Sequence, residues 1–341
     1  MSSIEAWAAL AKSEPLEPFV YPAPEFPPPG EVSVRVTHCG VCHSDVHQID
    51  DDWKIATFPL VPGHEVVGFV EALGEGVDSF HVGDRVGIGP QRGSCGDCVS
   101  CSAGAESVCK GILKTYGGKG NHRGGFARKM HFPARWCFAI PDELPSEMAA
   151  PLMCAGITTF SPLKVHATAG ARVGVAGVGG LGHLALQTAR AMGYHTLALT
   201  SSPGKVAQAL ELGAHTCILA SDEAALHEAQ GTLDLLLCTS SGAMEWDALL
   251  DLLKPGGKLC LVGLPPKAAR MSLLAQSLVK QEKALVGSYL GPRSLYPEML
   301  RFAAEHGVRP LVEVVPVSQA NVAVERVRSN QARYRMVLSM E

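Results

Sequence analysis

The run Gly177-Val178-Gly179-Gly180-Leu181-Gly182 constrains the fold of this chain more than any other segment. It fits G-x-G-x-x-G, in which glycines permit a tight turn and let backbone approach a pyrophosphate at a helix N-terminus. The motif alone is weak, but its surroundings are not. Arg172–Gly177 reads as a buried strand, and Gly180–Met192 as a helix with Leu181, Leu184, Ala185 and Ala189 at helical spacing. His195–Thr200 reads as the next strand and Lys205–Leu212 as the next helix. Strands follow at Cys217–Leu219 and Leu233–Cys238, then a helix at Ala243–Leu253 stopped by a turn at Pro255-Gly256-Gly257. Lys258–Val262 and Ala284–Ser288 complete the alternation. Strands and helices in alternation predict a doubly wound parallel sheet over residues 154–289.

The first half has a different texture. Short β-branched runs at Glu31–Val36, Val66–Val70 and Arg85–Ile88 are separated by glycine and proline, which predicts an antiparallel, barrel-like domain. Pro22–Pro29 reads as a surface connection. A helix at Leu295–His306 and strands at Leu311–Val315 and Tyr334–Leu338 are assigned back to this domain, so it is discontinuous: 1–153 plus 290–341. A chain of 341 residues is long enough for two such domains, and 47% hydrophobic with 18% charged residues excludes a disordered or collagen-like chain. A net charge of −4 with no basic run argues against a nucleic-acid partner. Residues 1–16 lack a basic stretch before an apolar core, so no signal peptide is read. The apolar stretch 173–199 is broken by glycines, His183, Gln187 and Arg190, so it is not a membrane span. A cytoplasmic protein is expected.

Eleven cysteines might indicate disulfides, but their distribution indicates metal. Cys95, Cys98, Cys101 and Cys109 follow C-x2-C-x2-C-x7-C, with Gly93, Gly96 and Gly104 among them. A loop this small builds no core of its own, and four thiolates make a closed structural zinc site. Cys42, His64 and Cys154 form a second, dispersed set. No spacing rule links these three. Thiolate, imidazole and thiolate are nevertheless a borderline-soft set suited to zinc, with one position left open for catalysis. Asp45 is a candidate to orient His64. Cys39 and Cys42 form a C-x-x-C without the βαβ context of a redox motif, while Cys217, Cys238 and Cys260 lie in apolar runs as free thiols do. An open zinc position together with a nicotinamide site is the equipment of alcohol and aldehyde interconversion.

The end of the second strand decides the cofactor. An Asp or Glu there binds the ribose 2′-hydroxyl of NAD. This chain has Thr200-Ser201-Ser202 instead, with Lys205 close behind. Two hydroxyls and an ammonium suit a 2′-phosphate, which predicts NADP(H) over NAD(H). The alternative is that Lys205 is simply a solvated lysine at a helix start.

Gly63-His64-Glu65-x-x-Gly68-x5-Gly74-x-x-Val77 resembles the zinc signature of the medium-chain dehydrogenase/reductase superfamily. Cys39-Gly40-Val41-Cys42-His43-Ser44-Asp45, Pro151-Leu152-Met153-Cys154-Ala155-Gly156-Ile157-Thr158 and Arg333-Tyr334-Arg335 resemble its cinnamyl alcohol dehydrogenase branch, which includes bacterial broad-specificity aldehyde reductases. The resemblance implies a GroES-like, barrel-type catalytic domain joined to a Rossmann domain, an α/β plus β architecture. It implies catalytic zinc on Cys42, His64 and Cys154, with Glu65 behind them as a transient fourth ligand. Ser44 would hydrogen-bond the substrate oxygen, and His47 would exchange its proton with solvent. His43 and Arg335 would lie near the pyrophosphate, Thr158 by the nicotinamide, and Thr200, Ser201 and Lys205 at the 2′-phosphate. Val262, ending its strand, is expected on the cofactor's side. The short glycine-rich loop Thr115–Gly125 departs from many relatives, so it bears on substrate preference.

Trp53, Ile55 and Phe58 are candidate walls of an apolar pocket, although each also fits ordinary packing. Leu264-Pro265-Pro266 is either a loop that moves with closure or a rigid one. The expected function is reduction of an aldehyde by NADPH, or oxidation of a primary alcohol in reverse, by a homodimer with two zinc ions per chain. The alternatives are an NAD-linked polyol or secondary-alcohol dehydrogenase, and a non-catalytic zinc- and nucleotide-binding protein. A zinc-free quinone reductase of the same fold would lack both ligand sets.

Overall fold

The computed structural model describes residues 2–118, 120–240 and 244–340. The chain forms two compact units, one of Met1–Cys154, Pro292–Glu305 and Pro310–Glu341, the other of Ala155–Gly291 and His306–Arg309. Among the described residues no helix is long and apolar enough to cross a membrane.

The second unit is built on six parallel strands. Across the sheet they run Thr216–Leu219, His195–Thr200, Arg172–Ala176, Leu233–Cys238, Leu253–Leu261 and Ala284–Gly287. The order reverses between Arg172–Ala176 and Leu233–Cys238, and nucleotides bind at such a switch point. The inner strands are apolar on both faces, with Val173, Val175, Leu235, Leu236 and Leu237 buried, as a covered parallel sheet requires. The helix after the glycine loop, Gly182–Ala191, buries Leu184, Ala185, Leu186 and Ala189.

Two expectations need correction here. Pro255-Gly256-Gly257 is not the turn that stops the preceding helix, because it lies inside the strand Leu253–Leu261 as a bulge. Leu233 pairs Leu253 while Leu235 pairs Lys258, and the Gly256 N–H donates to the Gln281 carbonyl at 2.8 Å. The preceding helix runs Trp246–Asp251, shorter than expected because Leu253 joins the sheet. Ala243, its expected start, lies outside the described residues.

The first unit carries a seven-stranded sheet. Its path is Val312–Pro316, Arg335–Ser339, Glu31–Val41, Glu65–Leu73, Arg85–Ile88 and Cys137–Ala139, with Lys129–Pro133 also on Glu31–Val41. The sheet is mixed rather than wholly antiparallel, since Val312–Pro316 and Arg335–Ser339 pair in parallel. Val32, Val34, Val36, Val66, Val70, Val86 and Ile88 form its core. Two features were not anticipated. Ser2–Ala9 and Leu16–Ala23 form a separate hairpin, which takes Pro22 into a strand opposite Ser3. The helix Ala320–Arg328 buries Ala320, Ala323, Val324 and Val327.

Candidate metal centres and nucleotide loop

The strand Glu31–Val41 delivers Cys42 to the start of the helix His43–Ile49. One turn in, the Asp45 carboxylate folds back and accepts the Cys42 N–H at 2.8 Å. The second segment turns on Gly63, at φ 104°. A side chain there would press on the Phe126 ring, the Cys39 sulfur and the Gly125 amide, so only glycine fits. His64 and Glu65 follow as the chain enters the strand Glu65–Leu73. The third segment is the π-helical turn Leu152–Gly156, which carries Cys154. The Tyr296 hydroxyl donates to the Met153 carbonyl at 3.2 Å, and the Tyr296 ring stacks on Phe138 at 4.2 Å. These contacts pin the turn next to its cysteine.

These segments bring the ligand atoms of Cys42, His64, Glu65 and Cys154 within 4.8 Å of one another. The set fits a metal ion by its own chemistry. Without a cation, two thiolates and a carboxylate at this spacing and depth repel one another and cannot all ionise. The hydrogen bond from Cys154 holds the Cys42 thiol well below its ordinary range despite burial, and His64 adds to the effect. That same hydrogen bond and burial push the Cys154 thiol well up. Burial raises the Glu65 carboxyl to about 7, with Arg335 pulling the other way. One Glu65 oxygen is paired with Arg335, and the other, Oε2, is buried with no hydrogen-bond partner among the described residues. An unsatisfied carboxylate oxygen at a cluster of soft donors is what a cation would relieve.

Asp45 is fully buried and organises this centre. Besides Cys42 N–H, it accepts Gly63 N–H at 3.0 Å, the His64 Nδ1–H at 3.2 Å and the Tyr116 hydroxyl at 2.6 Å. With its Nδ1 proton so engaged, His64 keeps the Nε2 lone pair for a metal. Burial and the Asp45 carboxylate push the Tyr116 phenol well up, so it stays a donor. Arg335 is placed on Glu65, with its side chain almost wholly buried.

Ser44 and His47 lie on the same short helix, both half-buried. His47 Nδ1 meets the Asp52 carboxylate at 2.7 Å, and its ring sits 5.2 Å from Trp53 and 5.8 Å from His43. Trp53 is covered in turn by the Lys114 ammonium at 5.1 Å. Ile55 is exposed, and Phe58 packs on the core.

The four cysteines of the compact set also converge, with sulfurs within 4.8 Å. Cys109 Sγ stands 3.4 Å from Cys95 Sγ and 3.8 Å from Cys98 Sγ, and the Gly111 N–H donates to it at 3.2 Å. Val99 and Val108 of this lobe are exposed, so apolar burial does not hold it together.

In the second unit the glycines play different parts. A Cβ on Gly182 would strike the Gly177 carbonyl, whereas one on Gly179 would meet nothing within 4 Å among the described residues. Gly182 is therefore needed by the fold, and Gly179 faces open space of the kind a pyrophosphate fills. Gly180 and Leu181 form the bend between them. The Thr239 hydroxyl donates to the Gly177 carbonyl at 2.7 Å, and Lys205 Nζ donates to the Val178 carbonyl at 2.9 Å. Thr200 is buried and accepts the Ser202 N–H at 3.2 Å, while Ser201 is exposed. Val262 follows its strand and donates to the Cys238 carbonyl at 3.1 Å. Thr158 is buried in the first turn of the helix Ile157–His166.

Sequence reasoning missed Tyr116, Asp52 and Tyr296. Each acts on a partner distant in sequence or through a loop contact, and no local pattern marks them.

Comparison with known proteins follows this geometry. Residues 28–142 match the model of the alcohol dehydrogenase GroES-like domain, and residues 180–305 that of the zinc-binding dehydrogenases. A probable cinnamyl alcohol dehydrogenase 5 of Oryza sativa subsp. japonica is 40% identical over 91% of this chain and 89% of its own length. A mannitol dehydrogenase of Petroselinum crispum is 41% identical over 91% of this chain and 94% of its own. Among solved structures, CAD from Helicobacter pylori complexed with NADP(H) superposes with a TM-score of 0.91 at 30% identity, over 99% of this chain and 98% of that one.

Proposed function

The chain belongs to the zinc-dependent alcohol dehydrogenases of the medium-chain dehydrogenase/reductase superfamily, cinnamyl alcohol dehydrogenase branch, and from that membership we propose that it is an NADPH-dependent aldehyde reductase. Oxidation of a primary alcohol is the reverse reaction. The observation that carries the proposal is the convergence of Cys42, His64 and Cys154, with Glu65 behind them.

In this reading those three side chains are the ligands, and a bound zinc supplies Lewis-acid polarisation of a carbonyl. Asp45 fixes the His64 ring and the backbone on either side of the ligands. Arg335 pairs with one Glu65 oxygen and leaves Oε2 to act as a fourth ligand. Ser44 Oγ carries the proton that the reduced product needs. His47 Nε2 exchanges it with solvent, since Asp52 occupies Nδ1. Cys95, Cys98, Cys101 and Cys109 hold a second, structural zinc.

The cofactor assignment rests on Thr200, Ser201 and Lys205, which place no carboxylate at the end of the strand His195–Thr200. The NADP(H) complex of the Helicobacter relative supports it. His43, Thr158, Val262 and Arg335 complete the proposed cofactor site. We assign the working form to a homodimer in the cytoplasm. A second reading, a polyol dehydrogenase, is favoured by the parsley relative.

Initial rates with NADPH and NADH, across benzaldehyde, cinnamaldehyde, linear aldehydes and mannitol oxidation in reverse, separate the readings. Aldehyde turnover with NADPH far above NADH is expected. Equal efficiency with both cofactors would falsify the cofactor assignment, and mannitol oxidation exceeding aldehyde reduction would favour the second reading.

A further inference from the structure

Three of the four donors on Asp45 belong to the segments that bear or adjoin the ligands: Cys42 N, Gly63 N and His64 Nδ1. The fourth does not. Tyr116 comes from the glycine-rich loop, 71 positions beyond Asp45 in sequence, and makes the shortest of the four bonds at 2.6 Å. Its ring lies 5.8 Å from that of His64, inclined at 24°. Its backbone is fixed on both sides. Thr115 N–H donates to the Pro90 carbonyl at 3.0 Å, and Gly117 N–H to the His122 carbonyl at 3.0 Å. Tyr116 is 2% exposed and Asp45 is 0% exposed, so water does not replace the phenol.

We propose that Tyr116 is a positioning residue of the catalytic metal centre, whose hydroxyl fixes the Asp45 carboxylate and through it the His64 ring. The physical reason lies in the terminal torsion of aspartate, which is broad unless neighbours define it. Oδ1 receives Gly63, His64 and Tyr116 together, and Tyr116 is the donor that comes from outside the ligand-bearing segments. Without it, the carboxylate can rotate along with the groups it is meant to hold. Partners behind a ligating histidine commonly govern metal affinity by about 10–100-fold. The proposal rests on the reading that Cys42, His64 and Cys154 hold zinc.

The test uses the full-length zinc-loaded protein and Tyr116→Phe, which removes the hydroxyl and keeps the ring. Zinc release to a chromogenic chelator is followed alongside the visible spectrum of the cobalt-substituted protein. The wild type is expected to release two zincs in separate phases, with one phase absent in His64→Ala. In Y116F the phase assigned to His64 should be faster by about tenfold or more, the other phase unchanged, and the cobalt bands shifted. Identical release and identical cobalt bands in Y116F overturn the role of Tyr116 and leave the metal reading intact. A wild type with one zinc, retained in His64→Ala, overturns the metal reading and this inference with it. Should Y116F fail to fold, 3-fluorotyrosine at position 116 makes a stronger donor. Slower release then supports the proposal, and unchanged release overturns it.

Discussion

Asp45 and His47 sit two residues apart on one short helix, yet they fail differently when changed. Every face of the Asp45 carboxylate meets a donor, so Asp45→Asn sets an amide N–H against an N–H or O–H whichever way it turns. We expect D45N to lose about 10–100-fold in kcat/KM together with part of its zinc, measured by metal analysis of the purified protein. A fully active D45N with two zincs would show that the carboxylate's charge is irrelevant. His47→Ala should keep both zincs and lose rate only, toward the lower end of the ~10²–10⁴-fold range of proton-transfer residues. Unchanged rate and pH profile would remove His47 from the reaction. The two roles were unequally legible. Cys42, His64 and Cys154 stand out by residue type, and Asp45 by its place next to a ligand. Tyr116 was visible only as a member of a short loop, because its meeting with Asp45 is made by the sheet and not by spacing.

The same division holds for secondary structure. Strands of the second unit carry continuous apolar runs, and two of them, His195–Thr200 and Leu233–Cys238, match the sequence reading to the residue. The hairpin Ser2–Ala9 with Leu16–Ala23 was not legible, since alanine and glutamate disfavour strands and only the pairing rescues them. The helix Ala320–Arg328 does carry the i, i+3, i+4, i+7 pattern, in Ala320, Ala323, Val324 and Val327. Its valines disguise it as strand. Pro255-Gly256-Gly257 has turn chemistry, and whether it separates a helix from a strand or bulges the strand depends on the partner strand. The lobe of Cys95, Cys98, Cys101 and Cys109 is the opposite case, read directly because residue type and spacing, not packing, mark it. Cys98→Ala should therefore cut bound zinc from two to one and lower Tm by several degrees, each lost kcal/mol counting for about 2–4 °C in a domain of this size. Residual turnover should persist in the folded fraction. Two zincs in C98A, by metal analysis, would sink the assignment of that lobe.

The two converged ligand sets and the glycine loop belong to different stretches of chain. Both converged ligand sets fall within Met1–Cys154, while the glycine loop and its supports fall within Ala155–Gly291. The supports are specific. Gly177 N–H donates to the Leu199 carbonyl at 2.9 Å, Thr239 holds the Gly177 carbonyl, and Lys205 holds that of Val178. None of these bonds draws on a metal ligand or its neighbours. Groups well separated and without shared partners couple by less than about 0.5 kcal/mol, roughly a factor of two in affinity. Calorimetric titration of 2′,5′-ADP, which carries the 2′-phosphate but neither pyrophosphate nor nicotinamide, into protein stripped of zinc and into the loaded protein should thus give dissociation constants within about twofold, provided the stripped chain keeps its far-ultraviolet circular dichroism. Lys205→Glu should weaken 2′,5′-ADP in both forms alike, because it sets a carboxylate where a 2′-phosphate is proposed and removes the bond to Val178. If stripping alone abolished 2′,5′-ADP binding while the chain stayed folded, the glycine loop would depend on the metal-bearing segments, and the supports named here would not suffice to hold it.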